Sequence, residues 1–286
     1  MQSLKDIVTA EEIVFFDSSV ANMRSFSNEF RVTGLGFAPD LLEEDEDYLK
    51  EVAECLEKEN VYTSHKVIGE LKAAKDMICK KLKALNQKQK KIEKEGKRFR
   101  VVDDDTFSKL NRLAILMTGI VKLARRSEYG TDEDFQKIDD VFCLLGRYLK
   151  PRKPRDREKP KHDYRTDETL LATAYYAAIK ERKPVCIVTQ DSDFMALLPL
   201  IHGQLTAYDF DEERRFERFF QEHPVLIYVG NEDGYAMRIS TREVVPADYF
   251  NIRNVPKLRM TRIKKRLKRE LAFLNSSQNP QDVLYT

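Results

Sequence analysis

Short, continuous apolar runs that end in polar residues are the most regular pattern in the sequence. Residues 13–16 read Ile-Val-Phe-Phe, residues 185–188 read Val-Cys-Ile-Val, and a shorter run begins at Val61. Runs of this length suit strands that are buried on both faces of a parallel sheet, because such strands have no polar face. The pattern therefore predicts an α/β fold in which these three segments lie in one sheet.

Apolar residues three or four positions apart predict the helices. The predicted helices cover residues 41–59, 64–95, 107–124, 131–149, a stretch that begins at 166, and residues 195–200 and 212–222. Ser64, Thr131 and Thr166 are expected to cap the helices that follow them, because their side chains can accept a hydrogen bond from the first helical turn. The acidic start of the first helix, residues 43–47, is expected to be a solvated helix end and not a second metal site.

The C-terminal part of the chain has a different pattern. A strand is predicted over residues 204–210, and alternating residues on both sides of the turn at 231–234 predict a β-hairpin. A basic amphipathic helix is predicted over residues 256–274. We therefore divide the chain into residues 1–210, with a helical insert at about 72–150 and a basic loop at 150–162, and a C-terminal extension over residues 211–286.

Composition narrows the class of protein. The net charge is only +2, although 34% of the residues are charged, so the distribution of charge is more informative than its sum. There is no apolar run long enough to span a membrane and no signal-peptide core at the N-terminus. The four cysteines lack metal-binding spacing and are expected to be reduced thiols. These features predict a cytoplasmic protein without a membrane span.

Two basic segments are candidates for holding a polyanion such as nucleic acid. The loop at 150–162 and the tail helix supply the candidate contacts, which are Arg152, Lys153, Arg155, Arg157, Lys161, Arg262, Lys264, Lys265, Arg266, Lys268 and Arg269. The distal part of the helix at 64–95 is also basic and could project as an arm. A solvated linker explains the loop equally well, and a solvated helix surface explains the possible arm equally well. The tail helix would also suit a membrane surface or a protein partner.

Acidic residues follow two of the predicted strands. Asp17 comes directly after the first apolar run, and Asp191 and Asp193 come just after the run at 185–188. Asp167 and Glu70 lie on helices that could reach the same sheet edge, which is where ligands bind in open α/β sheets. Taken one at a time, each acid is better explained as a cap or a salt-bridge partner. Together they could bind Mg²⁺ or Mn²⁺, which prefer hard oxygen ligands.

The order of these motifs resembles the PIN domain nucleases. The resemblance rests most on the Thr166-Asp167 helix start and on the Thr189-x-Asp191-x-Asp193-Phe194 strand end, and it covers about residues 11–210. It implies a parallel sheet flanked by helices and an acidic pocket that hydrolyses phosphodiesters with Mg²⁺ or Mn²⁺. The metal ligands and catalytic residues would be Asp17, Glu70, Asp167, Asp191 and Asp193. Ser18, Thr166 and Thr189 would orient ligands or water by hydrogen bonds.

The substrate is less well determined than the site. The resemblance implies RNA more often than DNA, so we expect a ribonuclease acting on single-stranded RNA. A structure-specific DNA nuclease with a helical arm over its site is one alternative. A PIN-like scaffold that binds nucleic acid or protein without cutting is another. The sequence leaves open whether the chain forms a homodimer or binds a protein partner.

Overall fold

The structure of the chain is a computed structural model. It describes residues 1–27, 35–95, 100–149, 165–207, 215–231 and 234–244. The basic loop at 150–162, the tail helix and all the candidate nucleic-acid contacts on them lie outside these residues.

A five-stranded sheet forms the centre of the fold, with the order β2-β1-β3-β4-β5. The strands are β1 (Val14–Phe16), β2 (Val61–Tyr62), β3 (Val185–Thr189), β4 (Val225–Asn231) and β5 (Gly234–Ser240). The first four strands in sequence run parallel, and β5 pairs antiparallel with β4. The α/β class and the three apolar strands are therefore confirmed, and the sheet is mixed because the hairpin adds an antiparallel edge.

The central position of β3 explains its composition. All five of its residues are buried, and it pairs on one side with β1 and on the other with β4. A strand with neighbours on both sides and helices on both faces has no side chain that can reach water. The hairpin, which we placed in a C-terminal extension, supplies β4 and thus continues the same sheet.

Eight α-helices surround the sheet in the described part of the chain. They are α1 (Leu4–Ala10), α2 (Leu42–Leu56), α3 (His65–Lys94), α4 (Asp104–Arg126), α5 (Glu133–Leu149), α6 (Thr166–Glu181), α7 (Phe194–Ala207) and α8 (Arg215–Glu222). Helix α1 was not predicted, although Ser3 and Asp6 form a capping box at its start. None of the described helices is both long and apolar enough to cross a bilayer.

Several local predictions are wrong. The N-cap of α6 is Arg165, and Thr166 is the first helical residue. At the start of α5 the side chain of Asp132, and not that of Thr131, accepts a hydrogen bond from the backbone N–H of Phe135. Residues 204–207 belong to α7 and not to a strand. Their helical form follows from packing, because the buried positions of α7 recur at helical spacing; they include Leu197, Leu198, Ile201 and Leu205.

The long helix α3 does not project as an arm. Its residues Ile78, Leu82 and Leu85 are buried in the core, and α3 packs against α4. Near its end, the Gln89 side chain accepts a hydrogen bond of 3.0 Å from the backbone N–H of Val101. The exposed lysines of its distal part, such as Lys83, Lys88 and Lys94, therefore lie on the outer face of a helix that packs against the body.

The acidic start of α2 is also less solvated than expected. The buried carboxylate of Asp45 accepts hydrogen bonds from the backbone N–H groups of Arg24 (2.8 Å) and Ser25 (2.9 Å) and from the Ser25 hydroxyl. Burial opposes the ionisation of Glu46, but hydrogen bonds from Arg112 and Lys50 outweigh it and lower the pKa of Glu46. These contacts tether the segment after β1 to α2.

We expect Asp45→Ala to lower the free energy of unfolding by about 2–4 kcal/mol, because it leaves two buried donors of Ser25 and the part-buried N–H of Arg24 without their acceptor. The neighbouring substitution Glu44→Ala is the matched control. Glu44 is exposed and only pairs with Arg24 across 3.6 Å, so its loss is expected to cost less than about 1 kcal/mol. Urea denaturation of both variants measures the difference. Equal losses would mean that Asp45 does not tether this segment.

The burial of His202 is expected to make the stability of the protein depend on pH. It is buried on α7, its Nδ1 lies 2.6 Å from the Tyr175 hydroxyl, and burial lowers the pKa of His202 to about 4. In the unfolded chain a histidine titrates near 6.5, so the unfolded state binds more protons between pH 4 and 6.5. The stabilisation is thus complete above about pH 6.5 and falls by roughly 3 kcal/mol as the pH falls to 4.

Replacing His202 with Asn removes this titration while keeping a polar group near the Nδ1 position. We expect the acid-induced loss of stability between pH 6.5 and 4 to be smaller in His202→Asn than in the parent. The control is His65→Asn, because His65 is exposed at the start of α3. Urea denaturation across this pH range tests the prediction. Parallel stability curves for the parent and His202→Asn would contradict it.

Candidate functional site

The two strands that carry acidic residues flank the point where the sheet order reverses. From β1 the chain passes to β2 on one side, and it later returns to place β3 on the other side of β1. The carboxyl ends of two parallel strands with diverging connections leave a crevice, which is the usual ligand site of open α/β sheets. Asp17 follows β1 directly, and Asp191 lies two residues beyond the end of β3.

Asp17 is held rigidly in this crevice. Its backbone N–H donates to the carbonyl of Val188 at 3.0 Å, which continues the pairing of β1 with β3. Asp17 is 5% exposed, and its Oδ2 accepts hydrogen bonds from the Thr189 hydroxyl (2.8 Å) and from the hydroxyl and backbone N–H of Ser19. Oδ1 accepts no hydrogen bond from the described residues, so it is left for another partner.

Two hydroxyls connect Asp17 to the end of β3. Thr189 Oγ1 also accepts a hydrogen bond of 2.9 Å from the backbone N–H of Asp191, and Ser19 Oγ accepts one of 2.8 Å from that of Gln190. The sequence analysis selected Thr189 but missed Ser19. The available signal was its position two residues after a strand-end aspartate, where a hydroxyl and an aspartate commonly form a local turn.

Three aspartates come together beside this pair of strands. Asp167, Asp191 and Asp193 each offer a carboxylate oxygen, and these oxygens all lie within 4.8 Å of one another. Asp191 Oδ1 accepts a hydrogen bond of 2.8 Å from the backbone N–H of Asp193, which fixes the turn between them. Three of the five acids, which were separate in the sequence, therefore form an acidic trio.

Two helix N-termini face the acidic trio. Asp167 lies in the first turn of α6. Asp193 immediately precedes α7, and its carbonyl accepts the first helical hydrogen bonds, from Ala196 and Leu197. The positive ends of both helix dipoles favour negative charge there, by about 0.3–1 kcal/mol per charge. This explains how three carboxylates can lie close together at one edge of the sheet.

Glu70 connects the two sides of the site. Its Oε1 accepts a hydrogen bond of 2.7 Å from the Thr166 hydroxyl, and its Oε2 accepts one from the Ser18 hydroxyl. Ser18 follows Asp17 and Thr166 precedes Asp167, so Glu70 lies between the neighbours of both acids. This contact also explains why Thr166 does not cap α6: its hydroxyl is used by Glu70.

A half-buried lysine attaches α6 to the neighbouring helix. Lys66 Nζ on α3 donates to Thr169 Oγ1 at 2.6 Å and to the carbonyl of Arg165 at 3.3 Å. The Arg165 guanidinium donates to the carbonyl of Cys143 on α5. These contacts fix the first turn of α6, and hence the position of Asp167, relative to Glu70. They were not foreseen, because no spacing in the sequence pairs these residues.

Neither Cys143 nor Cys186 has the low pKa of a cysteine nucleophile. Burial raises the pKa of Cys143 to about 12 and that of Cys186 well above its usual value. All four cysteines are free thiols, as the sequence indicated. A thiol with a raised pKa stays protonated at neutral pH and reacts slowly.

The donor set of the acidic trio suits a hard divalent cation. Mg²⁺ binds carboxylate oxygens and keeps several waters, so three carboxylates on a partly exposed surface match its needs. Mn²⁺ has the same preference for oxygen ligands. Such an ion would also relieve the mutual repulsion of the carboxylates. The residues therefore fit Mg²⁺ or Mn²⁺, with Asp17 and Glu70 close by along the hydrogen-bonded chains.

Comparison with known proteins gives no relative for this chain. No protein-family model matches it, and neither a curated protein nor a solved structure matches it.

Thr189→Val tests whether the hydroxyl chain holds the site. Thr189 is fully buried, and the variant removes one of the three donors to Asp17 and leaves the Asp191 N–H without its acceptor. We expect the free energy of unfolding to fall by about 1–3 kcal/mol. The control is Thr173→Val, because Thr173 is equally buried but only donates to the helix carbonyl of Thr169. The control is expected to cost less than about 1 kcal/mol in urea denaturation, and an equal cost would contradict the role of Thr189.

Proposed function

We propose that this protein is a Mg²⁺- or Mn²⁺-dependent nuclease that hydrolyses phosphodiester bonds in single-stranded RNA. The observation that carries the proposal is the acidic trio at the switch point of the sheet. Its position is that of a ligand site in this class of sheet, and its three carboxylates fit a divalent cation. The resemblance of the motif order to the PIN domain nucleases supports the same function.

The proposed roles follow from the contacts of each residue. Asp167, Asp191 and Asp193 would hold the ion, which when bound supplies a more acidic water and offsets phosphate charge. Asp17, held by Thr189 and Ser19, keeps one carboxylate oxygen directed away from these donors. Glu70, held by Ser18 and Thr166, is placed to orient a water or a further ligand. The hydroxyls thus position the two outer acids.

RNA is favoured over DNA by the resemblance. The DNA alternative relied on a helical arm over the site, whereas α3 packs against α4. The non-cleaving scaffold has a specific observation in its favour. The helix N-termini beside the trio and the hydroxyls on Asp17 and Glu70 would satisfy these acids without a cation. A nuclease would cleave RNA and would need these acids for cleavage, whereas a scaffold would not cleave RNA.

We expect Asp167→Asn and Asp191→Asn to reduce cleavage of single-stranded RNA by about 100-fold or more, and to weaken Mn²⁺ binding, because each removes one ligand charge. The control is Asp134→Asn, an exposed aspartate of α5 that pairs with Lys137. Cleavage is assayed with Mg²⁺, Mn²⁺ and EDTA, on RNA and on single-stranded DNA, and metal binding by calorimetry. Full activity in both variants would eliminate the proposed site.

Thermal melts distinguish a metal site from structural caps. Removing one of three crowded charges is expected to leave the metal-free protein as stable as the parent, or more stable. Mn²⁺ is expected to raise the melting temperature of the parent and to raise that of Asp167→Asn less, since a ligand stabilises only the state that binds it. If Asp167→Asn instead melts lower in EDTA while cleavage persists, Asp167 is a structural residue of the helix start.

A further inference from the structure

A cavity of about 740 Å³ opens beside the acidic trio. Its wall includes Gln190, which lies in the chain between Thr189 and Asp191, so the cavity begins where the acidic site ends. The end of β4 contributes Asn231, and the segment after β1 contributes Asn22 and Phe26. The cavity and the acids therefore share one edge of the sheet. Its volume falls in the usual range for small-molecule sites, about 300–1,000 Å³.

The lining of the cavity combines amides with an aromatic face. Asn22, Gln190 and Asn231 each carry both a hydrogen-bond donor and an acceptor. The half-buried ring of Phe26 stacks on Phe37, with ring centroids 5.7 Å apart and an angle of 23° between the planes. Amides that read polar edges and a ring that accepts stacking are the groups with which proteins bind unpaired nucleobases.

Gln190 is held in place by a tyrosine pair. Its Nε2 donates to the Tyr48 hydroxyl at 3.1 Å, and that hydroxyl lies 2.7 Å from the hydroxyl of Tyr235. The Tyr235 ring packs directly on Gly230, where a Cβ atom would come within 2.4 Å of the ring. The glycine thus lets the ring lie flat against β4. Gln190 Oε1 accepts no hydrogen bond from the described residues, so a ligand can use it.

The charges around the cavity favour an uncharged base over a phosphate inside it. The carboxylate of Glu44 pairs with Arg24, and that of Asp45 is taken up by two backbone N–H groups and the Ser25 hydroxyl. Arg24 also lines the wall, so the formal charges of Glu44, Asp45 and Arg24 sum to −1, and this negative charge disfavours a phosphate inside the cavity. An uncharged nucleobase meets no such repulsion, and its phosphate would stay outside, towards the acidic trio.

We propose that this cavity is a nucleobase subsite, which takes the unpaired base of the nucleotide next to the cleaved phosphate. The placement of the phosphate rests on the proposed nuclease function. Base pairing occupies the edges that the amides would bind and keeps the base in its stack. The subsite therefore selects single-stranded substrate, with Gln190 and Phe26 as the main specificity-determining residues.

Binding in EDTA tests the subsite without cleavage. The probes are a short fluorescent single-stranded RNA, its duplex, and a ribose-phosphate oligomer of the same length without bases. We expect Gln190→Leu and Phe26→Leu to weaken binding of the single strand by about tenfold while binding of the base-free oligomer stays unchanged. The parent is expected to bind the duplex no better than the base-free oligomer. Gln136→Leu, an exposed glutamine of α5, is the matched control.

A third variant, Asn22→Ala, is expected to remain folded because Asn22 is exposed. Melting curves are recorded for every variant. Equal binding of the single strand and the base-free oligomer by the parent would overturn the subsite. So would single-strand binding that none of the three cavity variants alters. The same proteins are assayed for cleavage with Mn²⁺. Base-dependent binding without cleavage would support the subsite and contradict the nuclease function. Cleavage without base-dependent binding would support the nuclease function and contradict the subsite.

Discussion

The hydrogen bond from Thr189 to Asp17 is the interaction on which the candidate site depends. It joins the ends of β1 and β3 at 2.8 Å, at the point where the sheet order reverses. The same hydroxyl accepts from the Asp191 N–H and thereby sets the turn that brings Asp191 beside Asp193. One buried hydroxyl thus links the alignment of two strands to the arrangement of the acids. A buried donor without its acceptor costs about 1–3 kcal/mol, which makes this arrangement well determined.

Crowding of negative charge is the main cost of the site, and several elements reduce it. The N-termini of α6 and α7 face the acidic trio, and hydroxyls or backbone N–H groups bind Asp17 and Glu70. Lys66 and Arg165 hold the first turn of α6 in place from the other side. These contacts reduce the repulsion among the carboxylates. They would stabilise a scaffold that binds no metal, and they would equally keep a metal site folded when it is empty. The function therefore depends on what the acidic trio binds and not on how it is built.

As a nucleobase subsite, the cavity next to the acidic trio would make the proposed nuclease prefer unpaired strands. Its amides and its aromatic ring suit a base, the formal charge of −1 on Glu44, Asp45 and Arg24 disfavours a phosphate, and Gln190 connects it to the acidic edge. The segment that forms its wall is tied to α2 by Asp45, which the sequence marked only as part of a charged helix start. A buried structural acid therefore supports the wall of the cavity, while the partly or fully exposed acids of the trio lie at the sheet edge.

The sequence by itself determined the sheet and most of its helices. Runs such as residues 185–188 have no polar position, so they can only be satisfied by burial on both faces, and β3 is the central strand as predicted. The order of the acids after β1 and β3 indicated where the site would lie. Local patterns are sufficient here because an apolar run or an apolar helical periodicity can be recognised within a short stretch of the chain.

Tertiary structure alone decided which groups meet. Thr166 bonds Glu70 and does not cap α6, Asp45 is buried, and residues 204–207 join α7, because partners from distant segments outweigh local preference. The sequence proposed five acids as one set, and three of them form the acidic trio in the fold. Ser19, the tyrosine pair and the cavity had no periodic signal at all. Their geometry arises from the crossing of strands and helices, which no local window of the sequence contains.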